Sequence, residues 1–341
     1  MLLTEWTILA KTFDHSSACL YVSELGRLGS RPGLERIRRL CALLGDPQDD
    51  LSFIHIAGTN GKGSTGAFIS SVLTASKVTT GMYYSPALCD ISDHYMINGE
   101  RISEEDYAYH VSKVAAANEK LIDETGESAT QFEFETAVAF TLFRAERCDA
   151  VILECGMGGR DDATNIVKNK LCCVFASISF DHMQYLGNTL DKIADVKSGI
   201  ITGSCPVIAF DSSKEATEVI RKKCEKTGSD LYTVESGDIA SEAIRPFGRT
   251  VDYDGFSDIE IGLSGSFQAE NAALALRTVS VIRDKGLIEK ADLTDDVIRM
   301  GMRSAKWPFR FERISEDPLI IVDGAHNEDA AKKRAWAGSR V

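Results

Sequence analysis

Five short apolar runs constrain the fold of this chain more than any other feature of its sequence. They cover residues 53–57, 150–153, 171–178, 206–210 and 319–322. Their apolar residues are nearly continuous, and most runs are followed closely by Gly or Asp, which is typical of strands buried on both faces of a parallel sheet. Stretches with apolar residues at helical spacing lie at 67–77, 136–147 and 268–283. This order of strands and helices predicts an α/β fold with a doubly wound, mostly parallel sheet.

Two segments depart from this pattern. Residues 246–263 alternate more strongly and contain Asp254-Gly255, a pair that favours tight hairpin turns, so we predict a small β insertion. After Trp307-Pro308, residues 310–314 and 319–322 resemble two strands, but the remaining chain is too short to bury a core, since even about 40 residues are marginal. We therefore predict a first domain over 1–307 and, at 308–341, the beginning of a truncated C-terminal α/β domain whose strand at 319–322 is partly uncovered.

Charge and cysteine usage exclude several classes of function. The formal net charge is −13, from 38 basic and 51 acidic side chains, which argues against nucleic-acid and membrane-surface partners. The nine cysteines form no C-x-x-C pair, which indicates reduced thiols and a cytoplasmic protein. The N-terminus lacks a basic start followed by an apolar core, and no run of about 18 apolar residues occurs, so we expect no signal peptide and no membrane span.

The glycine-rich segment 58-GTNGKGST-65 follows the first predicted strand. It departs twice from the usual phosphate-binding pattern G-x-x-x-x-G-K-[ST], because Ile56 stands at the first glycine position and Gly63 follows Lys62. Its context between a strand and a helix is nevertheless that of a phosphate site, since small residues let backbone N–H groups converge on an anion at a helix N-terminus. The alternative is a tight strand–helix turn without a ligand.

Two kinds of side chain would complete such a site. Lys62 supplies a positive charge for the β- and γ-phosphates of a nucleotide, and Ser64 or Thr65 offers a hydroxyl towards Mg²⁺. Glu154 ends another predicted strand, at the edge where open α/β sheets bind ligands, and its carboxylate suits Mg²⁺. The alternative for Glu154 is a helix-capping acid. The glycines that follow it hint at a dinucleotide site, but Arg160-Asp161 interrupt that pattern, and we reject this interpretation.

The glycine-rich segment closely matches the loop of the folylpolyglutamate synthase and dihydrofolate synthase enzymes, which belong to the Mur ligase superfamily of ATP-dependent amide-forming enzymes. Further motifs follow in the family's order. They are 84-YSPAL-88, 154-ECGMGGRDDATN-165, 180-FDHMQYLGNT-189, 193-IADVKSGII-201, 265-GSFQAENAALAL-276, 308-PFRFE-312 and 323-DGAHN-327. Together they make the chain resemble this family over roughly residues 30 to 330, and they imply a sheet of the Mur ligase central-domain type.

The resemblance implies roles for individual residues. ATP would contact the loop and a second group across the domain gap: Thr59, Asn60, Gly61, Lys62, Gly63, Ser64, Asn271, Arg310, Asp323 and His326. Mg²⁺ would be held by Ser64, Ser85, Glu154 and His182, and K⁺ is implied as a further cation. A lone His is more often a satisfied polar residue than a ligand, and the resemblance reverses that reading for His182.

Lys197 matches a family lysine that is carbamylated, which requires an amine with a lowered pKa. It would act in catalysis with Lys62 and His182. Phe132, Glu133 and Asp162 would contact folate, although the first two are also explained as a core aromatic and an acid at a helix N-terminus. Tyr84 stands where the family usually has Thr, and Ala87-Leu88 replace a bulky pair, so we expect a changed loop near folate.

The implied reaction adds L-glutamate to the carboxylate of folate or dihydropteroate through an acyl phosphate, with ATP as the phosphoryl donor. We expect these small molecules to be the partners of a monomeric protein. Two alternatives stay open. The first is a truncated fragment that binds nucleotide without ligase activity, in which the residues after Lys333 do not continue the family's helix. The second is a Mur-type ligase with a cell-wall nucleotide as substrate, against which the FDHMQYLGNT and PFRFE stretches argue.

Overall fold

The protein is represented by a computed structural model that describes residues 12–29, 31–87, 89–245 and 248–325. These residues form ten α-helices, which are α1 (His15–Leu25), α2 (Glu35–Leu43), α3 (Lys62–Ala75), α4 (Glu104–Thr125), α5 (Gln131–Ala145), α6 (Met183–Leu186), α7 (Leu190–Lys197), α8 (Lys214–Thr227), α9 (Gln268–Asp284) and α10 (Asp295–Ser304). They also form thirteen strands, which are β1 (Phe53–Ala57), β2 (Thr80–Tyr83), β3 (Tyr95–Ile97), β4 (Glu100–Arg101), β5 (Ala150–Glu154), β6 (Lys170–Phe175), β7 (Val207–Phe210), β8 (Leu231–Val234), β9 (Ala240–Arg245), β10 (Gly248–Tyr253), β11 (Phe256–Ile261), β12 (Glu312–Glu316) and β13 (Leu319–Val322).

Eight strands form the main sheet, in the order β4-β3-β2-β5-β1-β6-β7-β8. The six strands from β2 to β8 in this order pair in parallel, and β3 and β4 add an antiparallel edge. β1 lies in the interior, where Ile54 is in register with Ile152 of β5 and Cys172 of β6. The predicted doubly wound, mostly parallel sheet is therefore confirmed.

Helices cover both faces of the sheet, and the alternation of side chains along β1 explains how. Ile54 and Ile56 belong to a core formed with α3, α9 and α10, whereas Phe53 points to the opposite face and joins a core formed with α1, α2, α4 and α5. A third core lies between β6, β7 and the helices α7 and α8. Every side chain of β1 is buried, which accounts for its nearly continuous apolar run.

The predicted elements agree with the structure except at some ends. β1 and β13 have the predicted bounds, but β6 ends at Phe175, before the predicted end at Ile178. The reason is that Ser177 leaves the sheet, where its carbonyl accepts hydrogen bonds from the backbone N–H groups of Thr59 and Asn60 at 2.7 and 3.3 Å. The helix after the glycine-rich loop begins at Lys62, before the stretch 67–77 in which its apolar spacing is visible.

The predicted β insertion is confirmed and is larger than expected. β10 and β11 form an antiparallel hairpin, and β9 adds a third strand. Asp254 and Gly255 turn the chain with φ angles of 56° and 83°, the left-handed values that a two-residue hairpin turn of this hand requires. The buried side chains Val251 and Ile259 pack this small sheet into the core that contains α9.

The segment after Trp307 forms a separate two-stranded sheet, β12 and β13. Leu319 and Ile320 are 51% and 42% exposed, so this strand is partly uncovered in the described part of the chain. The boundary at 307/308 and the truncated second domain stay predictions, and the residues after Lys333 lie outside the described ranges. Among the described helices, none combines the length and the apolar character that a membrane crossing requires.

The crossing of α10 over α3 depends on a glycine. A Cβ atom built on Gly301 would overlap the backbone of Val72, and Ser71 Oγ donates a hydrogen bond to the Gly301 carbonyl at 2.7 Å. The two helices therefore touch at backbone distance.

We predict that Gly301→Val lowers the free energy of unfolding by about 1–3 kcal/mol, because overpacking forces these helices apart. Urea denaturation measures this change. The matched control is Gly203→Val, at a turn where an added Cβ meets no atom within 4 Å. Equal stability of the two variants would contradict the proposed helix contact.

Candidate active site

The loop between β1 and α3 lines a cleft at the carboxyl edge of the sheet. Its backbone is anchored on the far side by the Ser177 carbonyl. Gly61 is the N-cap of α3, has a φ of 90° and offers no side-chain acceptor, so no side chain caps the first turn of the helix. An anion in the cleft would therefore meet the N-terminal end of a 14-residue helix.

Two glycines of this loop are required by close neighbours. A Cβ on Gly61 would overlap Oδ1 of Asn271, and a Cβ on Gly63 would lie 2.9 Å from the Trp307 indole ring. Trp307 is in turn packed edge-on against Tyr84, with ring centroids 4.5 Å apart. The additional Gly63 of this loop thus makes room for an aromatic side chain beside the phosphate-binding turn.

Lys62 and Glu154 form the charged centre of the cleft. Lys62 Nζ lies 3.6 Å from Glu154 Oε1 and donates a hydrogen bond to the Thr59 carbonyl at 3.2 Å. Burial raises the pKa of the Glu154 carboxyl, and the charges of Lys62 and Arg310 oppose that rise. This carboxylate is therefore costly to keep ionised without cations close by, and a phosphate-bound cation would stabilise it.

The residues of the predicted metal set fit Mg²⁺ by the chemistry of their donors. Ser64, Ser85 and Glu154 all line the cleft and offer oxygen atoms, which hard cations prefer. Ser64 Oγ also accepts a hydrogen bond from Gln268 Nε2 at 3.3 Å, which orients the hydroxyl. His182 lines the same cleft with a side chain that is 51% exposed.

His182 occupies an unusual backbone position. It is the N-cap of α6, with a φ of 47°, and its Nε2 atom lies 3.8 Å from Asp181 Oδ2. Asp181 also lines the cleft, although the sequence analysis did not select it. This carboxylate adds a second acidic group to this side of the cleft.

The structure brings most of the predicted residues to this one cleft. Those lining it are Thr59, Asn60, Gly61, Lys62, Gly63, Ser64, Ser85, Glu154, His182, Asn271, Arg310 and Asp323. The last two come from the β12–β13 segment, where Phe311 donates a backbone hydrogen bond to Asp323 Oδ2 at 2.8 Å. His326 lies outside the described residues.

Lys197 lies beneath the loop and not among the lining residues. It is 4% exposed, and its Nζ donates a hydrogen bond of 2.7 Å to the Gly58 carbonyl. Burial, and then the neighbouring charge of Lys62, lower the pKa of this amine to about 7. Much of the Lys197 amine is therefore neutral at physiological pH.

Three predicted folate contacts lie away from the lining of the cleft. Glu133 Oε2 accepts hydrogen bonds from the backbone N–H and the hydroxyl of Thr130, both at 2.8 Å, and forms an ion pair with Arg36 at 3.1 Å. The capping of α5 therefore occupies that oxygen, as the alternative interpretation of the sequence anticipated. A contact of Glu133 with folate stays a prediction without support from this geometry.

Asp162 is similarly engaged, because its carboxylate accepts backbone hydrogen bonds from Met157 at 2.8 Å and Thr164 at 3.0 Å. Phe132 is closer to the cleft, since its ring packs against Gly156, which lines it. The sequence shows that these residues follow a glycine run or open a helix, but it does not show that nearby backbone groups hold Glu133 Oε2 and the Asp162 carboxylate. Glu133 Oε1 is buried and has no hydrogen-bond partner among the described residues.

Four cleft neighbours were missed by the sequence analysis. They are Asp181, Gln268, Glu270 and Trp307, of which the second orients Ser64 and the last packs on Gly63. Gln268 and Glu270 lie inside the quoted motif 265–276, so their motif membership was the available signal. Trp307 was used only as a boundary marker.

Comparison with known proteins agrees with this geometry. The sequence pattern of the Mur ligase middle domain matches residues 56–279. The dihydrofolate synthase/folylpolyglutamate synthase of Bacillus subtilis (strain 168) is 36% identical over 330 residues, which cover 93% of this chain and 76% of that relative. The chain belongs to the folylpolyglutamate synthase/dihydrofolate synthase family of ATP-dependent ligases.

Solved structures of this family superimpose on the whole described fold. A folylpolyglutamate synthase complex with AMPPCP and folate is 33% identical, with a TM-score of 0.89, covering 96% of this chain and 80% of the other. The Mycobacterium tuberculosis folylpolyglutamate synthase complexed with ADP and AMPPCP is 32% identical, with a TM-score of 0.85, covering 96% and 74%. The family assignment from motifs is confirmed.

We predict that Gly61→Ala weakens binding of AMPPCP by at least about tenfold, which corresponds to about 1.4 kcal/mol. The added methyl group would collide with the Asn271 amide and displace that side chain, which lines the cleft. Isothermal titration calorimetry measures the affinity. Gly99→Ala is the matched control, since Gly99 has a similar φ of 82° but no atom within 4 Å of an added Cβ. Unchanged affinity in Gly61→Ala would contradict the role of this turn.

Proposed function

We propose that this protein joins the amine of L-glutamate to a carboxylate of folate or dihydropteroate, with ATP converted to ADP and phosphate. The observation that supports this most is the cleft in which Lys62 and the buried Glu154 lie 3.6 Å apart, with Arg310 and Asp323 in the same lining. A relative with this fold forms a complex with AMPPCP and folate. The chemistry needs a phosphoryl donor and a carboxylate acceptor in one place, and this cleft offers groups for both.

The reaction has two steps. A carboxylate oxygen of the folate attacks the γ-phosphorus of ATP, a P–O bond to ADP breaks, and an acyl phosphate forms. The neutral amine of glutamate then attacks the acyl carbon, the C–O bond to phosphate breaks, and the amine loses a proton as the amide forms. Without this activation a carboxylate does not react with an amine. Positioning and charge stabilisation account for such catalysis, with no nucleophilic side chain.

Lys62 and Arg310 would stabilise the negative charge on the transferring phosphoryl group, since both line the cleft and both act electrostatically on Glu154. Mg²⁺, held by Glu154, Ser64, Ser85 and His182, would supply further positive charge to the phosphate oxygens. Water must be kept from an acyl phosphate, and the segment carrying Arg310 and Asp323 is positioned to cover one side of the cleft.

Lys197 is proposed to be carbamylated. Addition of CO₂ needs a neutral amine, and a pKa of about 7 leaves much of this amine neutral under physiological conditions. The adduct would replace a buried positive charge by a negative one between Lys62 and the loop, which relieves the like-charge contact with Lys62.

The nine free cysteines support the proposal of a cytoplasmic, reducing environment.

A second candidate function is nucleotide binding without ligation. It is favoured by the exposure of Leu319 and Ile320 on β13, because an uncovered apolar strand is typical of a domain that lacks part of its packing partner. In that case the cleft would bind ATP but would not complete the closed site that an acyl phosphate requires.

We predict glutamate-dependent release of ADP from ATP in the presence of dihydropteroate, tetrahydrofolate or both. A coupled ADP assay with each acceptor, and with a UDP-muramyl substrate as the comparison, measures this. Turnover with the folate-type acceptors only would support the proposal and identify the acceptor. Binding of AMPPCP without turnover on any acceptor would favour the second candidate function, and turnover with only the UDP-muramyl substrate would contradict the folate assignment.

We predict that Lys197→Ala lowers kcat by at least about 100-fold, as loss of an electrostatic catalytic group does. A small carboxylate such as acetate should partly restore activity, because it replaces the charge of the carbamate. Steady-state kinetics with and without acetate measure both effects. Lys192→Ala, at an exposed lysine of the same helix, is the control and should retain activity. Full activity of Lys197→Ala would exclude the carbamate.

A further inference from the structure

A second group of ligand-type side chains lies apart from the cleft, where the start of α1 meets the segment that follows Ser85. His15 Nε2 lies 3.5 Å from Cys19 Sγ, and Asp90 Oδ1 lies 3.8 Å from each of these two atoms. Among the described residues, these three side chains form a group whose ligand atoms all lie within 4.8 Å of one another. None of the motifs quoted above includes these residues.

The spacing of the three atoms is close to that of a tetrahedral zinc site. Zinc lies about 2.3 Å from sulfur and about 2.0–2.2 Å from nitrogen or oxygen, so neighbouring ligand atoms stand about 3.3–3.6 Å apart. The His15–Cys19 separation of 3.5 Å falls within this range, and the two separations of 3.8 Å from Asp90 Oδ1 exceed it slightly. Small side-chain rotations would bring all three atoms to bonding distance.

The backbone holds the three side chains in place. His15 and Cys19 are one turn apart on α1, on the same side of the helix, and Asp14 caps that helix by accepting the Ser17 N–H at 2.8 Å. Asp90 caps the 3₁₀ turn Ile91–His94, where it accepts a hydrogen bond from the N–H of Ser92 at 2.9 Å. Helix α1 and the turn capped by Asp90 therefore hold the three side chains close together.

Neighbours of the His15 ring also suit metal binding. Glu104 Oε2 lies 3.9 Å from Nδ1, the ring nitrogen opposite the one that faces Cys19. A carboxylate on the second nitrogen is the usual partner of a metal-bound imidazole, since it fixes the ring and the tautomer. The ring also packs edge-on against Tyr107, with centroids 5.7 Å apart, which limits its rotation.

A divalent cation would balance the charges of a Cys19 thiolate and the Asp90 carboxylate. The Cys19 thiol is half-buried and lies 3.8 Å from the Asp90 carboxylate. A bound Zn²⁺ would hold the sulfur as thiolate, and thiolate and carboxylate together cancel its two charges. Thiolate and imidazole ligands select zinc over Mg²⁺ or Ca²⁺, which prefer oxygen.

We propose that His15, Cys19 and Asp90 form a zinc site, with the fourth coordination position taken by water. The site is distinct from the Mg²⁺ position in the cleft. It would join α1 to the turn that follows Asp90. The proposal does not depend on the ligase activity.

Cobalt titration of the metal-free full chain, prepared by dialysis against a chelator, tests the site. We expect one Co²⁺ to produce the visible absorption of tetrahedral cobalt together with a thiolate-to-cobalt charge-transfer band, and one equivalent of Zn²⁺ to remove both. Cys19→Ser should abolish the charge-transfer band, and Asp90→Asn should weaken cobalt binding. Cys89→Ser is the matched control, since this exposed thiol is adjacent to Asp90 but outside the group, and it should leave the band unchanged.

Two further measurements keep the test independent of folding defects. Each variant should bind AMPPCP with wild-type affinity, because the cleft is elsewhere. Zinc binding to the wild-type protein at pH 7 should release about one proton, from Cys19, as calorimetry in buffers of different ionisation enthalpy reports. Absence of the charge-transfer band in the wild-type protein, or its persistence in Cys19→Ser, would overturn the proposal and leave a hydrogen-bonded surface cluster.

Discussion

The parallel pairing of β1 with β5 on one side and β6 on the other is the constraint on which the rest of the structure depends. Ile56 is in register with Glu154 of β5 and with Val174 of β6. Parallel strands end at the same edge of a sheet, so this row brings the glycine-rich loop, the Glu154 carboxylate and the chain after β6 to one place. A shift of register by one residue would turn Glu154 to the other face and separate it from Lys62.

The loop at that edge is held by backbone contacts more than by its own side chains. On one side of the loop, the Ser177 carbonyl accepts hydrogen bonds from the backbone N–H groups of Thr59 and Asn60. From beneath the loop, Lys197 Nζ donates a hydrogen bond to the Gly58 carbonyl. Two lysines, Lys62 and Lys197, therefore approach a region that contains the buried Glu154 carboxylate. Burial, and after it the neighbouring charge of Lys62, explains why the more deeply buried amine of Lys197 has the lowered pKa. This couples the shape of the loop to its electrostatics.

Much of this arrangement was predictable from sequence, for physical reasons that differ between elements. Strands buried on both faces are mostly apolar, so β1 was visible as a nearly continuous apolar run, and the glycine-rich loop was visible because few residues tolerate its backbone. The edge strands β3 and β4 carry a weaker pattern and were not predicted, and neither was β2, a buried interior strand of four residues. The partner of Glu133 could not be predicted, since Arg36 is far from it in sequence and only packing brings them together. Trp307 was missed as a site residue for the same reason, because its contact with Gly63 spans most of the chain.

The central claim is that the cleft activates a carboxylate by phosphorylation before the amide forms. Transfer of ¹⁸O tests this most directly, with the acceptor carboxylate of the folate substrate labelled and the released phosphate analysed by mass spectrometry. If the acyl phosphate forms, one labelled oxygen per turnover appears in phosphate, because the C–O bond of the acyl phosphate is the one that breaks. Formation of the glutamyl amide and ADP with unlabelled phosphate would contradict the account.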